Sequence, residues 1–215
     1  MTDQPGLRER KKQRTRTAIS EAAIALFLEH GFTEVSVAQI AEAAEVSKRT
    51  LFAYFTTKED LVVHRMADHE TEPAEVVRGR PPHATPPVAL RAHFLDGLRR
   101  RDPITGLCDH PDLLALTGLI FENPTLIDRM QRFKVGSEHA LAEALCDTTE
   151  VPGLVARVAA AQLIAVQWTL SSDNFACVGS GQSADARYPD AVRDAERAFG
   201  LVENGLAAAF TPPPA

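Results

Sequence analysis

The chain has 215 residues, 45% of them apolar and 24% charged, an ordinary balance for a folded globular protein. No uninterrupted apolar run approaches the ~20 residues of a membrane span, and no apolar stretch follows the polar, basic N-terminus, so neither a membrane nor a secretory signal is expected. The net charge of −6 is unevenly spread: residues 1–58 hold nine Lys/Arg against seven Asp/Glu, and residues 59–215 hold 14 against 22. A basic head on an acidic body points to a polyanion met by the head alone, although a solvated N-terminus would have the same composition.

Residues 1–8 read as disordered. From about Glu9 to Glu29, Ala18, Ile19, Ala22, Ala23, Leu26 and Phe27 recur at helical spacing, and Gly31 is expected to end this helix as a left-handed cap. Ser36 and Gln39 form a capping box for a second helix, with Val35 and Ile40 as its staple. Ser47 caps a third. A fourth is expected from Thr57 to about Glu72, with Asp60 at its positive end. Ile40, Ala41, Ala44, Leu51, Phe52 and Phe55 are the expected shared core. Five prolines make 73–87 a stiff, non-helical connector. Helical patterns return at about 88–101, 111–121, 125–147, 153–176 and 189–209. Gly179–Ala186 reads as a loop and Thr211–Ala215 as a frayed tail. No segment alternates long enough to be a strand, so the fold is all-α.

The two short helices over 37–55, joined by a tight turn, read as a helix-turn-helix. In that motif the second helix enters the major groove of DNA and its first residues reach the base edges. Here those are Ser47, Lys48, Arg49 and Thr50. Arg49 has the planar fork that matches guanine O6 and N7, while Lys48 suits a base or a phosphate. Tyr54 lies one turn beyond Thr50. Lys58 is expected on a phosphate, as is Arg14 in the basic arm. Singly, each residue fits an ordinary solvated face; the caps, spacing and adjacent basic arm together favour double-stranded DNA.

The stretches T-A-I-S-E-A-A-I-A-L-F-L-E-H-G-F from Thr17 and V-A-Q-I-A-E-A-A-E-V-S-K-R-T-L-F-A-Y-F-T-T-K-E-D-L to Leu61 resemble the DNA-binding domain of the TetR family of transcriptional regulators. The resemblance covers roughly residues 10–63. It implies about nine helices: an N-terminal three-helix helix-turn-helix domain (1–58) and a C-terminal effector-binding and dimerisation domain (59–215), with the fourth helix, 58–72, as coupler. It also implies a homodimer and a palindromic operator, usually repressed until a small molecule binds. By position, Ser36, Lys48, Arg49, Thr50, Tyr54 and Lys58 match the family's DNA-contacting places. Two residues depart from the pattern. Phe52 replaces a frequent Tyr, so a phosphate contact is lost or moved. Glu45 replaces the usual Gly of the turn and is expected near the left-handed region, under modest strain.

The acidic body is less legible. Phe94, Leu98, Leu116, Ile120 and Phe133, with Arg129, Gln167 and Trp168, are candidates to line an effector cavity, though core or surface duty explains each more simply. Arg99–Arg101 sit where a helix C-terminus favours cations. Small residues at 159–166 and 205–210 suit a homodimer interface made by the last two helices, and equally ordinary packing within the chain. His64 and His69 are five apart, poor spacing for a metal on one helical face. No nucleophile elbow, phosphate loop or metalloprotease motif appears, so neither catalysis, a metal nor a cofactor is expected. Cys108, Cys146 and Cys177 are odd in number and widely spaced, which suits a reducing cytoplasm. The reading is a cytoplasmic dimeric transcriptional regulator. The alternatives are a small-molecule-binding protein or enzyme with a vestigial helix-turn-helix, or a thiol redox sensor.

Overall fold

Every regular element in the computed structural model, which describes residues 6–67 and 69–210, is helical. The elements are α1 (Leu7–His30), α2 (Val37–Ala43), α3 (Lys48–Tyr54), α4 (Asp60–Ala67), α5 (Glu72–Arg78), α6 (Pro86–Arg100), a 3-10 turn (Pro103–Thr105), α7 (Pro111–Glu122), α8 (Pro124–Thr148), α9 (Gly153–Gly179) and α10 (Ala184–Phe210). The all-α fold is as expected, with ten α-helices where about nine were anticipated. The C-terminal tail lies outside the described residues.

By packing, the chain divides into two units. One comprises the residues up to Arg65 together with Ala115–Met130; the other comprises Met66–Leu114 and Gln131 onward. The break therefore falls after most of α4 rather than at 58/59. The N-terminal unit also takes in the end of α7 and the first turns of α8.

The N-terminal unit is built on buried Ile19, Ala23, Phe27, Phe32, Val35, Ile40, Leu51 and Phe55, with Leu61, Val62 and Val63 of α4 and Ile120 and Leu126. Phe52 is not part of this core: it is 51% exposed. α1 starts at Leu7, earlier than its apolar pattern. It ends at Gly31, whose φ of 89° and ψ of 147° are open to glycine but are not the left-handed helical cap expected. The Gly31 N–H still reaches the Phe27 carbonyl, and Phe32 folds back on Phe27 with ring centroids 5.0 Å apart.

Deeper in this unit, the Ser20 hydroxyl donates to the Leu61 carbonyl at 2.7 Å and lies 2.9 Å from His64 Nδ1. His64 stands edge-on to Phe55. Both polar side chains are buried, so they tie α1 to α4.

Two expected elements are wrong in the same way. The fourth helix does not run to Glu72; it stops at Ala67. The connector 73–87 contains α5 and the start of α6. Pro73 cannot lie inside one continuous helix, but it can open a new one. Continued as a helix, its ring would meet the carbonyl of His69, and it has no N–H to bond there. At the first turn of a new helix neither defect matters, because those N–H groups have no partner anyway. Pro73 is buried at the first turn of α5, and Pro86 and Pro87 open α6.

Glu72, at the start of α5, joins the turn to α6. One carboxylate oxygen lies 2.8 Å from His69 Nδ1 and the other 3.2 Å from His93 Nε2. Those hydrogen bonds, His69's first, hold the Glu72 carboxyl well below its usual value of 4.5. A depressed carboxyl stabilises the fold above its unfolded pKa and loses that contribution as pH falls below it. The melting-temperature advantage of wild type over Glu72→Gln should therefore be full at pH 6 and shrink towards pH 3. A constant gap would mean the carboxylate charge is not what the two histidines recognise.

The core of the C-terminal unit lies among α6, α9 and α10, with Leu90, Phe94, Leu98, Leu163, Ile164, Ala191, Ala195 and Phe199 buried. By length and composition α9 could cross a membrane, although no uninterrupted apolar run suggested it. Its Ala156, Ala159, Ala160, Leu163, Ile164 and Leu170 belong to this core instead. α10 begins at Ala184, so the expected loop shrinks. Pro189 sits within its early turns. The Ala184 N–H is received by Asp109 Oδ2 at 2.9 Å, which helps fix the earlier start.

Candidate nucleic-acid interface

The helix-turn-helix is set by its caps. The Ser36 N–H donates to Gln39 Oε1 at 2.8 Å, and Ser36 Oγ accepts the Gln39 N–H at 3.3 Å, closing the box that starts α2. Ser47 Oγ accepts the Thr50 N–H at 3.0 Å and starts α3; it also lies 2.8 Å from Thr50 Oγ1. Thr57 and Asp60 repeat the device, with the Thr57 N–H on Asp60 Oδ2 at 3.0 Å and the Asp60 N–H on Thr57 Oγ1 at 3.3 Å. Each cap satisfies donors that a short helix would otherwise leave open. Three helices of seven or eight residues are too short to hold without such caps and tertiary packing.

The turn between α2 and α3 passes through Glu45 at φ 52°, the left-handed conformation expected of this position. Its N–H reaches the Glu42 carbonyl, and the Val46 N–H reaches Ala41. The side chain is exposed. Left-handed backbone costs a side-chain-bearing residue roughly 1–2 kcal/mol that glycine does not incur. Glu45→Gly should raise the melting temperature by a few degrees, read by thermal unfolding; a fall would show that the unfolded chain's added freedom outweighs the strain relieved.

One face of α3 is open. Lys48, Arg49, Phe52 and Ala53 are exposed, Thr50 and Tyr54 are half-buried, and Leu51 is buried under the helix. Ser36 and Ser47 are exposed at their caps. On α1, Arg10, Lys11, Lys12 and Arg14 are exposed, so the basic arm is a helical edge from Leu7 onward. Arg16 turns inward, with its guanidinium 5.5 Å from the Phe55 ring centroid.

Lys58 is placed differently from its expected phosphate role. Its ammonium donates to the Phe32 carbonyl and stands 4.5 Å from the Phe32 ring centroid and 5.4 Å from that of Phe27. Burial lowers its pKa, partly opposed by Glu59 and Glu34. This lysine holds the α1–α2 loop to the start of α4. Lys58→Ala should cost about 1–3 kcal/mol of stability, from a charged hydrogen bond and cation–π contacts. It should leave the salt dependence of DNA binding unchanged; a slope shallower by about one would return Lys58 to the phosphates.

The eight effector candidates are divided between the two units. Leu116, Ile120 and Arg129 belong to the N-terminal unit, where Arg129 Nε and NH2 each lie 2.6 Å from Asp60 Oδ1. Arg129 thus anchors the cap of α4. Sequence reasoning missed that pairing because the partners are 69 positions apart. In the C-terminal unit, Phe94 and Leu98 are buried core, with Phe94 packed 5.9 Å from Phe199. Phe133, Gln167 and Trp168 are half-buried. Arg99 and Arg100 pair with Asp96, while Arg101 caps α6 and stacks on Tyr188. Cys108 and Cys177 are half-buried and Cys146 is exposed, all as free thiols.

Residues 19–64 match the family model described as "Bacterial regulatory proteins, tetR family". The HTH-type transcriptional regulator TcmR of Streptomyces glaucescens is 33% identical over 159 residues, 74% of this chain. Residues 19–64 therefore carry the DNA-binding domain of the TetR family. The aligned region spans 64% of TcmR's own length. The regulator MftR of Mycobacterium tuberculosis is 51% identical over 49 residues, 23% of this chain and 25% of MftR. The same fold is seen in NalD of Pseudomonas aeruginosa, the secondary repressor of the MexAB-OprM multidrug efflux pump. Its native crystal structure matches with a TM-score of 0.56 at 19% identity, covering 86% of this chain and 97% of NalD.

Proposed function

We propose that this protein is a dimeric, sequence-specific DNA-binding regulator of the cytoplasm, a repressor released from a two-fold symmetric operator by a small molecule. The observation that carries this reading is the exposed Lys48–Arg49 edge of α3, held by the Ser47 cap and backed by buried Leu51 and Phe55. A guanidinium on the open face of a short capped helix suits the major groove, and the α1 edge of Arg10, Lys11, Lys12 and Arg14 suits the flanking phosphates. Ser36 at the start of α2, Thr50 in the first turn of α3 and Tyr54 at its C-terminal end are candidates for backbone contacts.

The dimer part is supported by α9. Leu154, Val158, Gln162, Ala165, Thr169, Ser172 and Ala176 recur at spacings of three and four along its outer side; none is charged, and all but Ala165 are exposed. Leu201 of α10 is 71% exposed. Uncharged, small-residue faces of this kind pack against a second helix pair. The effector part is supported by half-buried Phe133, Gln167 and Trp168 in the C-terminal unit. Such an effector must bind the DNA-incompetent state more tightly, because equal affinity shifts nothing. Selection of duplexes from a random double-stranded pool by the full-length protein tests the reading. Enrichment of a two-fold symmetric sequence is expected, and a pool that stays random would overturn it.

A further inference from the structure

Phe52 is the odd residue of α3. It is a large aromatic side chain, 51% exposed, on a seven-residue helix whose other large apolar residues, Leu51 and the following Phe55, are 1% and 2% exposed. At about 100° per residue, Lys48, Phe52, Arg49 and Ala53 fall in that angular order within an arc of about 140°. All four are exposed. The open face of α3 thus sets Phe52 as an apolar centre between Lys48 and Arg49, with Ala53 on the far side of Arg49. Solvent disfavours this arrangement.

The cations determine what approaches that face. Lys48 and Arg49 draw it to a polyanion, so the apolar centre must meet whatever apolar group a polyanion presents there. In the DNA major groove, one base carries such a group: the 5-methyl of thymine. A phenylalanine lacks the hydroxyl that would carry it to a phosphate. We propose that Phe52 is a specificity-determining residue that reads a thymine methyl, resting on the DNA-binding function proposed above. Phe52 lies three residues beyond Arg49, an axial step of about 4.5 Å against a base-pair rise of about 3.4 Å. The thymine therefore falls within about two base pairs of the one that Arg49 reads.

Deoxyuridine differs from thymidine only by that methyl, so it isolates the contact. The selected duplex is resynthesised with deoxyuridine replacing each thymidine in turn, and the affinities of wild type, Phe52→Ala and Phe52→Leu are compared. Wild type should lose about four-fold at one thymidine per half-site, the effect of one methyl-sized group losing its burial. Phe52→Ala should bind the thymidine and deoxyuridine forms of that position equally, Phe52→Leu should keep part of the preference, and Arg49→Ala should relax specificity within two base pairs of it. The proposal is overturned if wild type is indifferent to deoxyuridine everywhere, if its preference survives in Phe52→Ala, or if the half-site holds no thymine. If no duplex is selected at all, the DNA-binding function falls first and this inference with it.

Discussion

Gly106→Ala is expected to destabilise the protein by about 4 kcal/mol or more, the range reserved for a clash that packed backbone cannot absorb. Gly106 follows the 3-10 turn with φ 72°, already unfavourable for any residue with a side chain. A Cβ there would lie 2.0 Å from the Ser171 carbonyl oxygen and 3.0 Å from the Phe175 nitrogen, both backbone atoms of α9. Neither side can yield easily. Ser171 Oγ donates to the Ile104 carbonyl at 2.8 Å, and the buried Asn174 amide donates to Thr105 at 3.0 Å while its oxygen accepts from Arg187 at 3.0 Å. Separating the turn from α9 would leave these groups unpaired in the interior. Urea unfolding measures the effect. A midpoint within experimental error of wild type would mean that the turn does not approach α9 as closely as described here.

Lys48→Ala combined with Arg49→Ala should abolish sequence preference without loosening the fold. Both side chains are exposed, and the bonds that start α3 run through Ser47 and Thr50. Arg49→Ala alone should cost about 1–3 kcal/mol at one base pair, the worth of a bidentate arginine–guanine contact. Arg14→Ala should weaken all sequences alike and flatten the salt dependence, the mark of a phosphate contact. Equal melting temperatures with unequal binding would place the effect at the interface. Ser47→Ala is the contrast, because losing that cap costs about 1 kcal/mol of helix stability and binding together.

Local grammar was the legible part of this chain. Ser36–Gln39, Ser47–Thr50 and Thr57–Asp60 are all written within four consecutive residues, and all three caps form. Glu45 was legible through the turn it must make. The prolines of 73–87 are breakers only when read alone: Pro73, Pro86 and Pro87 stand in the first turns of α5 and α6, where a missing N–H costs nothing. The roles of Lys58 and Arg129 were hidden because their partners, Phe32 and Asp60, are 26 and 69 positions away. Phe52 was assigned to the core by composition alone, whereas the face it occupies depends on how α3 packs. The effector site was least legible, since ordinary core packing and a cavity wall draw on the same apolar residues.

The function proposed for this protein is that α3 reads a particular DNA sequence while the α1 edge holds the flanking phosphates. It is tested most directly by the ratio of equilibrium dissociation constants for the selected duplex and its scrambled counterpart, measured at about physiological salt. A ratio of ~1,000 or more is expected of a specific regulator. Equal affinity for the two duplexes would contradict the account.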